Sequence, residues 1–187
     1  MKRGAAKRGV DIVASAVGLI LLSPLLAAAA ASIALTTGRP VLFRQTRVGL
    51  GGRPFTLVKF RTMRDTWDES GRPLLDEARL TRLGGFLRRT SLDELPEVWN
   101  VLVGDMSLVG PRPLLVEYLP LYSAHQARRH EVRPGITGLA QISGRGRLSF
   151  QETVKLDVEY VKRRSLLLDL KIVFLTLYKL VTRDGAF

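Results

Sequence analysis

The chain has 187 residues, a net charge of +12 from 29 Lys and Arg against 17 Asp and Glu, and 46% apolar residues. That much apolar content excludes a disordered basic tail, and the length fits one compact body rather than two. With no Cys and only two histidines, His125 and His130, five residues apart, the chain excludes a disulfide scaffold, a zinc–thiolate site, a cysteine nucleophile and a histidine-rich metal site.

Residues 12–38 carry no charge. As a helix they would run roughly 40 Å, longer than the ~30 Å hydrocarbon core of a bilayer, so a transmembrane helix is the first reading. A cleaved signal peptide is a second, with Lys2, Arg3, Lys7 and Arg8 as its basic region. The apolar stretch is nevertheless longer than the usual core of about 7–15 residues. Two features favour a third reading. Ser23-Pro24 lies near the middle, where proline removes a backbone donor and kinks or breaks a helix. The carbonyl so freed needs an internal partner, and the Ser23 hydroxyl is the nearest donor. Both flanks are also basic, with Arg39, Arg44 and Arg47 following the stretch, so the positive-inside rule assigns no direction of crossing. A re-entrant helix-break-helix fits both facts, and a Pro-kinked single span is the simpler alternative. Asp11, at the membrane edge, is expected to pair with an adjacent cation.

Residues 39–187 read as one body. Val41–Arg47 and Pro54–Phe60 predict two strands around the turn VGLGGR, hence a hairpin. That glycine-rich turn leads into a strand, which argues against a nucleotide-binding loop. Alternation places Lys59 and Arg61 on one strand face, either solvated or clamping a phosphate. Residues 63–78 read as an exposed acidic loop. Residues 79–103 and 114–130 read as helical, separated by a turn over Gly104–Pro113. Phe150–Val161 reads as a further helix. Ser165–Val181 is apolar but interrupted by Asp169, Lys171 and Lys179, which suits a core helix or, preferably here, an amphipathic helix in the membrane interface.

Two segments carry candidate chemistry. In RRTSLDELPE (88–97), Ser91 and Glu94 match a helix capping box, which explains one carboxylate. The adjacent pair Asp93-Glu94, just after Arg88 and Arg89, could instead hold Mg²⁺ and face a phosphate ester. In GDMSLVGPRP (104–113), Pro111 and Pro113 brace Arg112, either as a stiff connector or as an arginine pre-organised for phosphate. Arg133, Arg145 and Arg147 add cations to glycine-containing loops, while Trp67 and Trp99 read as packing or interface residues.

Taken in order, KRGVDI, the SP of the apolar stretch, FRQTRVGLGGRPFTLVKFRTM, LRRTSLDELPEVWNVLVGDMSLVGPRP and RPGITGLAQISGR cover nearly the whole chain. This set resembles the small monotopic phosphoglycosyl transferases, the bacterial sugar transferases that act on polyprenyl phosphate. The chain looks like their catalytic core, without the additional N-terminal membrane region of larger relatives. The resemblance implies an α+β, mainly helical fold with a short β-hairpin and interfacial amphipathic helices. It implies a re-entrant membrane hairpin over residues 1–38, broken at Ser23 and Pro24. Residues 39–187 would be a cytoplasmic catalytic domain on the inner face of the bacterial plasma membrane.

The implied reaction moves a sugar phosphate from a UDP-sugar to polyprenyl phosphate and releases UMP. Asp93 would be the nucleophile, Asp93 and Glu94 would hold Mg²⁺, and Lys59, Arg88, Arg112 and Arg145 would bind substrate phosphates. The expected partners are a UDP-sugar, polyprenyl phosphate and lipid of the cytoplasmic leaflet, with no nucleic acid. The sugar and the oligomeric state stay open. The rival reading is a membrane-tethered basic module that binds nucleic acid or anionic lipid. It calls for interleaved basic and aromatic residues, and aromatics are only 7%. On the favoured reading the cations form two groups, one bracketing the membrane hairpin and one surrounding Asp93-Glu94.

Overall fold

The computed structural model describes residues 2–144 and 147–182. Helix α1 runs from Lys2 to Thr36 and contains Pro24. The expected break at Ser23-Pro24 is not a break in the helix. Proline removes only the bond to the carbonyl of Ile20, and the Ser23 hydroxyl donates to that carbonyl at 2.7 Å. Most of α1 is exposed and apolar, including Val13, Val17, Ile20, Leu21 and Leu35. It is the one helix among the described residues long and apolar enough to cross a membrane.

A narrow stripe of α1 nevertheless packs inward. Asp11, Ser15 and Ile33 are buried. Leu26, Ala29, Ala30 and Ile33 join Phe60 and Leu87 in a first apolar cluster. At the other end, Arg8 donates to the carbonyls of Val101 and Leu102 at 2.6 and 2.7 Å, and Lys7 pairs with Asp169 at 2.7 Å. Both ends of the apolar helix are thus fastened to the same body. Contrary to the expectation from sequence, Asp11 pairs with no cation among the described residues; its Oδ1 accepts from Ser107 Oγ and from the Leu108 backbone, both at 3.1 Å. Two fixed donors satisfy a buried carboxylate without immobilising a long side chain.

Strands β1 (Leu42–Val48) and β2 (Pro54–Phe60) form the expected antiparallel hairpin, with Phe43 opposite Lys59 and Arg47 opposite Phe55. A short helix α2 (Asp76–Arg79) overlaps the end of the region read as a loop. The helix expected over 79–103 is split into α3 (Arg82–Arg89), a 3₁₀ turn over Leu92–Glu94, and α4 (Glu97–Val103). The turn expected over 104–113 contains strand β3 (Ser107–Val109), which pairs in parallel with β4 (Gly135–Thr137). The helix expected over 114–130 is instead two 3₁₀ turns flanking α5 (Ala124–Ala127).

Helices α6 (Leu139–Ser143), α7 (Phe150–Arg163) and α8 (Leu166–Thr182) complete the chain. Helix α7 starts at a capping box made by Ser149 and Glu152. On α8, Ile172 is buried against Val109 and Tyr160, whereas Leu167, Leu170, Phe174 and Leu177 are exposed. A third cluster, Leu57, Val101 and Met106, ties the hairpin to α4. The architecture is therefore mainly helical, with two small two-stranded sheets.

Candidate active site

Asp93 and Glu94 share the 3₁₀ turn between α3 and α4. The chain enters it through Ser91 at φ 57° and ψ 16°, a left-handed conformation that costs a non-glycine residue about 1–2 kcal/mol. The capping box expected of Ser91 and Glu94 does not form. Ser91 caps no backbone group, and the Glu94 side chain turns to cations instead.

Each cation arrives on a different element. Lys59, on β2, donates to Glu94 Oε1 at 2.7 Å and pairs with Glu97 Oε1 at 3.0 Å. Arg112 donates to the same Glu94 oxygen at 2.5 Å. Arg88, in the last turn of α3, donates its Nε–H to Thr62 Oγ1 at 3.0 Å. Helix α3 can come this close because Gly84 faces the Thr62 carbonyl, where a Cβ would lie 1.9 Å from the oxygen. Asn100 holds β2 against α4, donating to the Thr56 carbonyl at 2.7 Å and accepting from the Val58 N–H at 3.1 Å.

The loop carrying Arg112 is braced from behind. Arg129 donates to the Arg112 carbonyl at 2.7 Å and to Asp157 Oδ2 at 2.6 Å, and both of these side chains are 1% exposed. Gly135 permits the close crossing of β3 and β4 that positions the loop, since a Cβ there would lie 2.0 Å from the Gly110 nitrogen.

The two adjacent carboxylates differ sharply. Burial by itself would raise the Glu94 pKa, but Arg112 and Lys59 outweigh it and hold it at about 2. Burial raises the Asp93 pKa and the charge of Glu94 adds to the effect, against the pull of Lys59 and Arg88. Glu97 is pushed by burial to about 7, although Lys59 favours its charged form. Among the described residues the Asp93 side chain has no ion-pair partner: every salt bridge at the turn goes to Glu94 or Glu97. The site therefore combines one locked anion, Glu94, with one half-buried and unengaged carboxylate beside three cations.

The structure brings Asp93, Glu94, Lys59 and Arg112 together and sets Arg88 beside Asp93. Arg145 lies outside the described residues. Ser23 and Pro24 lie midway along α1. Arg61 is turned away to Met63 O, Arg39 O and Asp65, so the shared strand face with Lys59 does not make a clamp. Glu97, Thr62, Asn100 and the Arg129–Asp157 pair join the site without a signal in the sequence. No local pattern marks the last pair, 28 residues apart. Arg47, grouped from sequence with the cations flanking the membrane segment, instead reaches the Pro113 carbonyl next to Arg112.

No group of three or more His, Asp or Glu side chains suited to a metal occurs among the described residues. The described residues therefore form no cage made wholly of protein ligands. Mg²⁺, however, characteristically takes one or two carboxylates and completes its shell with water and substrate phosphate. Asp93 is unengaged, and both cations on Glu94 bind Oε1, so an oxygen donor set of that kind is present.

A half-buried carboxylate beside three cations, in a body that carries an exposed apolar helix, suits a membrane-associated enzyme that handles phosphate groups. The chain belongs to the bacterial sugar transferase family, whose model matches residues 2–183. It is 52% identical to a protein described as an uncharacterized sugar transferase from Bacillus subtilis, over 96% of this chain and 89% of the relative. It is 46% identical to a UDP-glucose:undecaprenyl-phosphate glucose-1-phosphate transferase of Caulobacter vibrioides, over 97% of this chain and 72% of the relative. The protein of the same name in Escherichia coli is 43% identical over 97% of this chain, which spans 41% of that longer relative.

Proposed function

We propose that this sugar transferase moves a sugar 1-phosphate from a UDP-sugar to polyprenyl phosphate, giving polyprenyl-diphospho-sugar and UMP. This would be the first membrane step in assembling a bacterial glycoconjugate. The observation that carries the reading is the contrast within the Asp93-Glu94 pair: Glu94 is locked by Lys59 and Arg112, while Asp93 is unengaged. The relatives named for glucose-1-phosphate transfer to undecaprenyl phosphate support the substrate classes.

In the first displacement an Asp93 oxygen attacks the β-phosphorus of the UDP-sugar. The bond from that phosphorus to the bridging oxygen breaks, and UMP leaves with the oxygen and the electron pair. The sugar phosphate is then esterified to Asp93. In the second displacement a phosphate oxygen of polyprenyl phosphate attacks the same phosphorus and expels the carboxylate. Asp93, whose pKa is raised, is a better nucleophile once ionised than an ordinary aspartate. Lys59 and Arg88 offset the repulsion between the carboxylate and the diphosphate. Mg²⁺, held by Asp93 and Glu94, would neutralise phosphate charge.

The same reading places α1 in the cytoplasmic leaflet as a re-entrant segment that stays helical through Pro24. Both of its ends are fastened to the catalytic body, Lys7 and Arg8 to α8 and α4, and Ile33 to Phe60. A helix crossing to the far side would carry one end away from that body. The exposed apolar face of α8 would lie in the same interface and keep the polyprenyl tail in lipid while its phosphate reaches Asp93. The test is UMP release from a panel of UDP-sugars with Mg²⁺ and undecaprenyl phosphate. Turnover of at least one is expected; release of CMP or UDP from other donors, or salt-sensitive nucleic-acid binding without turnover, overturns the reading.

A further inference from the structure

We propose that Arg47 is a further substrate-binding residue, which together with Arg112 receives the phosphate that departs on the nucleoside monophosphate. The inference rests on the nucleotide-sugar reading above and concerns the leaving-group side of the site, for which Asp93, Lys59 and Arg88 provide nothing.

The strand register places Arg47 on the same face of the hairpin as Lys59, since Arg47 lies opposite Phe55 and Lys59 opposite Phe43. Four residues of strand separate the two pairs, roughly 13 Å at ~3.3 Å per residue. Lys59 reaches Glu94 at one end of this face. At the other end Arg47 donates from Nη1 to the Pro113 carbonyl at 3.4 Å and from Nη2 to Gln45 Oε1 at 2.6 Å. Its Nε is buried and has no hydrogen-bond partner among the described residues.

Both acceptors that hold Arg47 are neutral. Lys7, Lys59, Arg112 and Arg129 each meet a carboxylate, whereas Arg47 makes no salt bridge among the described residues. Burial and then the like charge of Arg112 disfavour its cationic form, against weaker support from Glu97 and Glu117. A partly buried guanidinium with an unsatisfied donor and a cationic neighbour is unfavourable by itself. An anion between Arg47 and Arg112 would remove both penalties. The free Nε–H belongs to the planar fork with which arginine binds phosphate.

The order of cations identifies which phosphate. Lys59 and Arg112 meet on the Glu94 carboxylate next to Asp93, and Arg47 lies beyond Arg112 beside Pro113. With the β-phosphorus at Asp93, the next phosphate outward is the one carrying the nucleoside. When the bridging P–O bond breaks, its electron pair stays on that phosphate, which gains negative charge as it leaves. A guanidinium there stabilises charge where it develops.

The experiment is titration calorimetry of the detergent-solubilised full chain with UMP, together with steady-state kinetics, for wild type, Arg47→Gln and Arg47→Lys. Arg47→Gln is expected to weaken UMP binding and raise the UDP-sugar KM on the order of 10–100-fold, the range for a charged hydrogen bond. The KM for polyprenyl phosphate should stay at the wild-type value. Arg47→Lys should recover part of the loss, because it restores charge but not the fork. Unchanged UMP affinity in Arg47→Gln overturns the inference while leaving the nucleotide-sugar reading intact. An equal loss toward polyprenyl phosphate, with no recovery in Arg47→Lys, also overturns it, because the strand is then only structural. A wild-type protein that neither binds UMP nor releases it from any UDP-sugar refutes the reading itself.

Discussion

Single residues divide the charge of this molecule more finely than their positions in the chain suggest. Alternation would put Lys59 and Arg61 on one strand face, but β2 ends at Phe60; Lys59 reaches the carboxylate pair while Arg61, just past the strand, ends on backbone carbonyls and Asp65. Arg47 follows the membrane segment in sequence yet lies beside Arg112 in space. Asp93, Glu94 and Arg112 were readable because a carboxylate pair and a proline-braced arginine occupy short contiguous motifs. Glu97 was not, because its burial depends on how α4 packs. His130 provides a separate test at this scale. Its Nε2 is buried without a partner among the described residues, and burial, with Arg129 adding to it, lowers its pKa from 6.5 to about 4. A base depressed in the folded state contributes stability that is fully present above pH 6.5 and is lost as pH falls from 6.5 toward 4. Asp157, raised by burial to about 6, works in the opposite sense over part of that window. Comparing wild type with His130→Phe cancels the Asp157 contribution. The unfolding midpoint of wild type should fall more steeply than that of His130→Phe between pH 6.5 and 4, and parallel curves would contradict the assignment.

Elements with strong periodicity or turn chemistry were readable before the structure. The β-hairpin, α7 and α8 all fall within two residues of the expected bounds, α7 continuing to Arg163. The continuous helix expected over 79–103 fails at one residue, Ser91, whose left-handed backbone opens the turn that presents Asp93. Nothing in the serine itself announces that conformation; its spacing from Glu94 pointed to a cap instead. Strands β3 and β4 are three residues each and pair across more than twenty residues, too short for any period to register. Their contact depends on Gly110 and Gly135 meeting backbone to backbone, a tertiary requirement with no local signature. Proline marked the middle of α1 correctly, and the Ser23 hydroxyl does satisfy the Ile20 carbonyl, but the helix continues past it. One lost bond, offset by a side-chain donor, is a smaller perturbation than a full helix break.

At the scale of the whole molecule, the apolar helix and the basic body form one unit. The mainly exposed α1 is held at both ends, and the exposed leucines and Phe174 of α8 add a second apolar surface. This arrangement predicts that both ends of α1 lie on one side of the membrane. Because the chain has no Cys, Ala5→Cys and Arg39→Cys can be labelled selectively in sealed membranes. Both should react with an impermeant thiol reagent only from the cytoplasmic side; labelling from opposite sides would establish a crossing helix.

The central claim is that Asp93 carries the sugar phosphate covalently between two displacements. The most direct measurement is the intact mass of the protein after incubation with a UDP-sugar and Mg²⁺ in the absence of polyprenyl phosphate. The account predicts about one sugar-phosphate adduct per chain, formed together with one equivalent of UMP, discharged by adding polyprenyl phosphate, and absent in Asp93→Asn. UMP that appears only after polyprenyl phosphate is added, with the protein mass unchanged throughout, would contradict it.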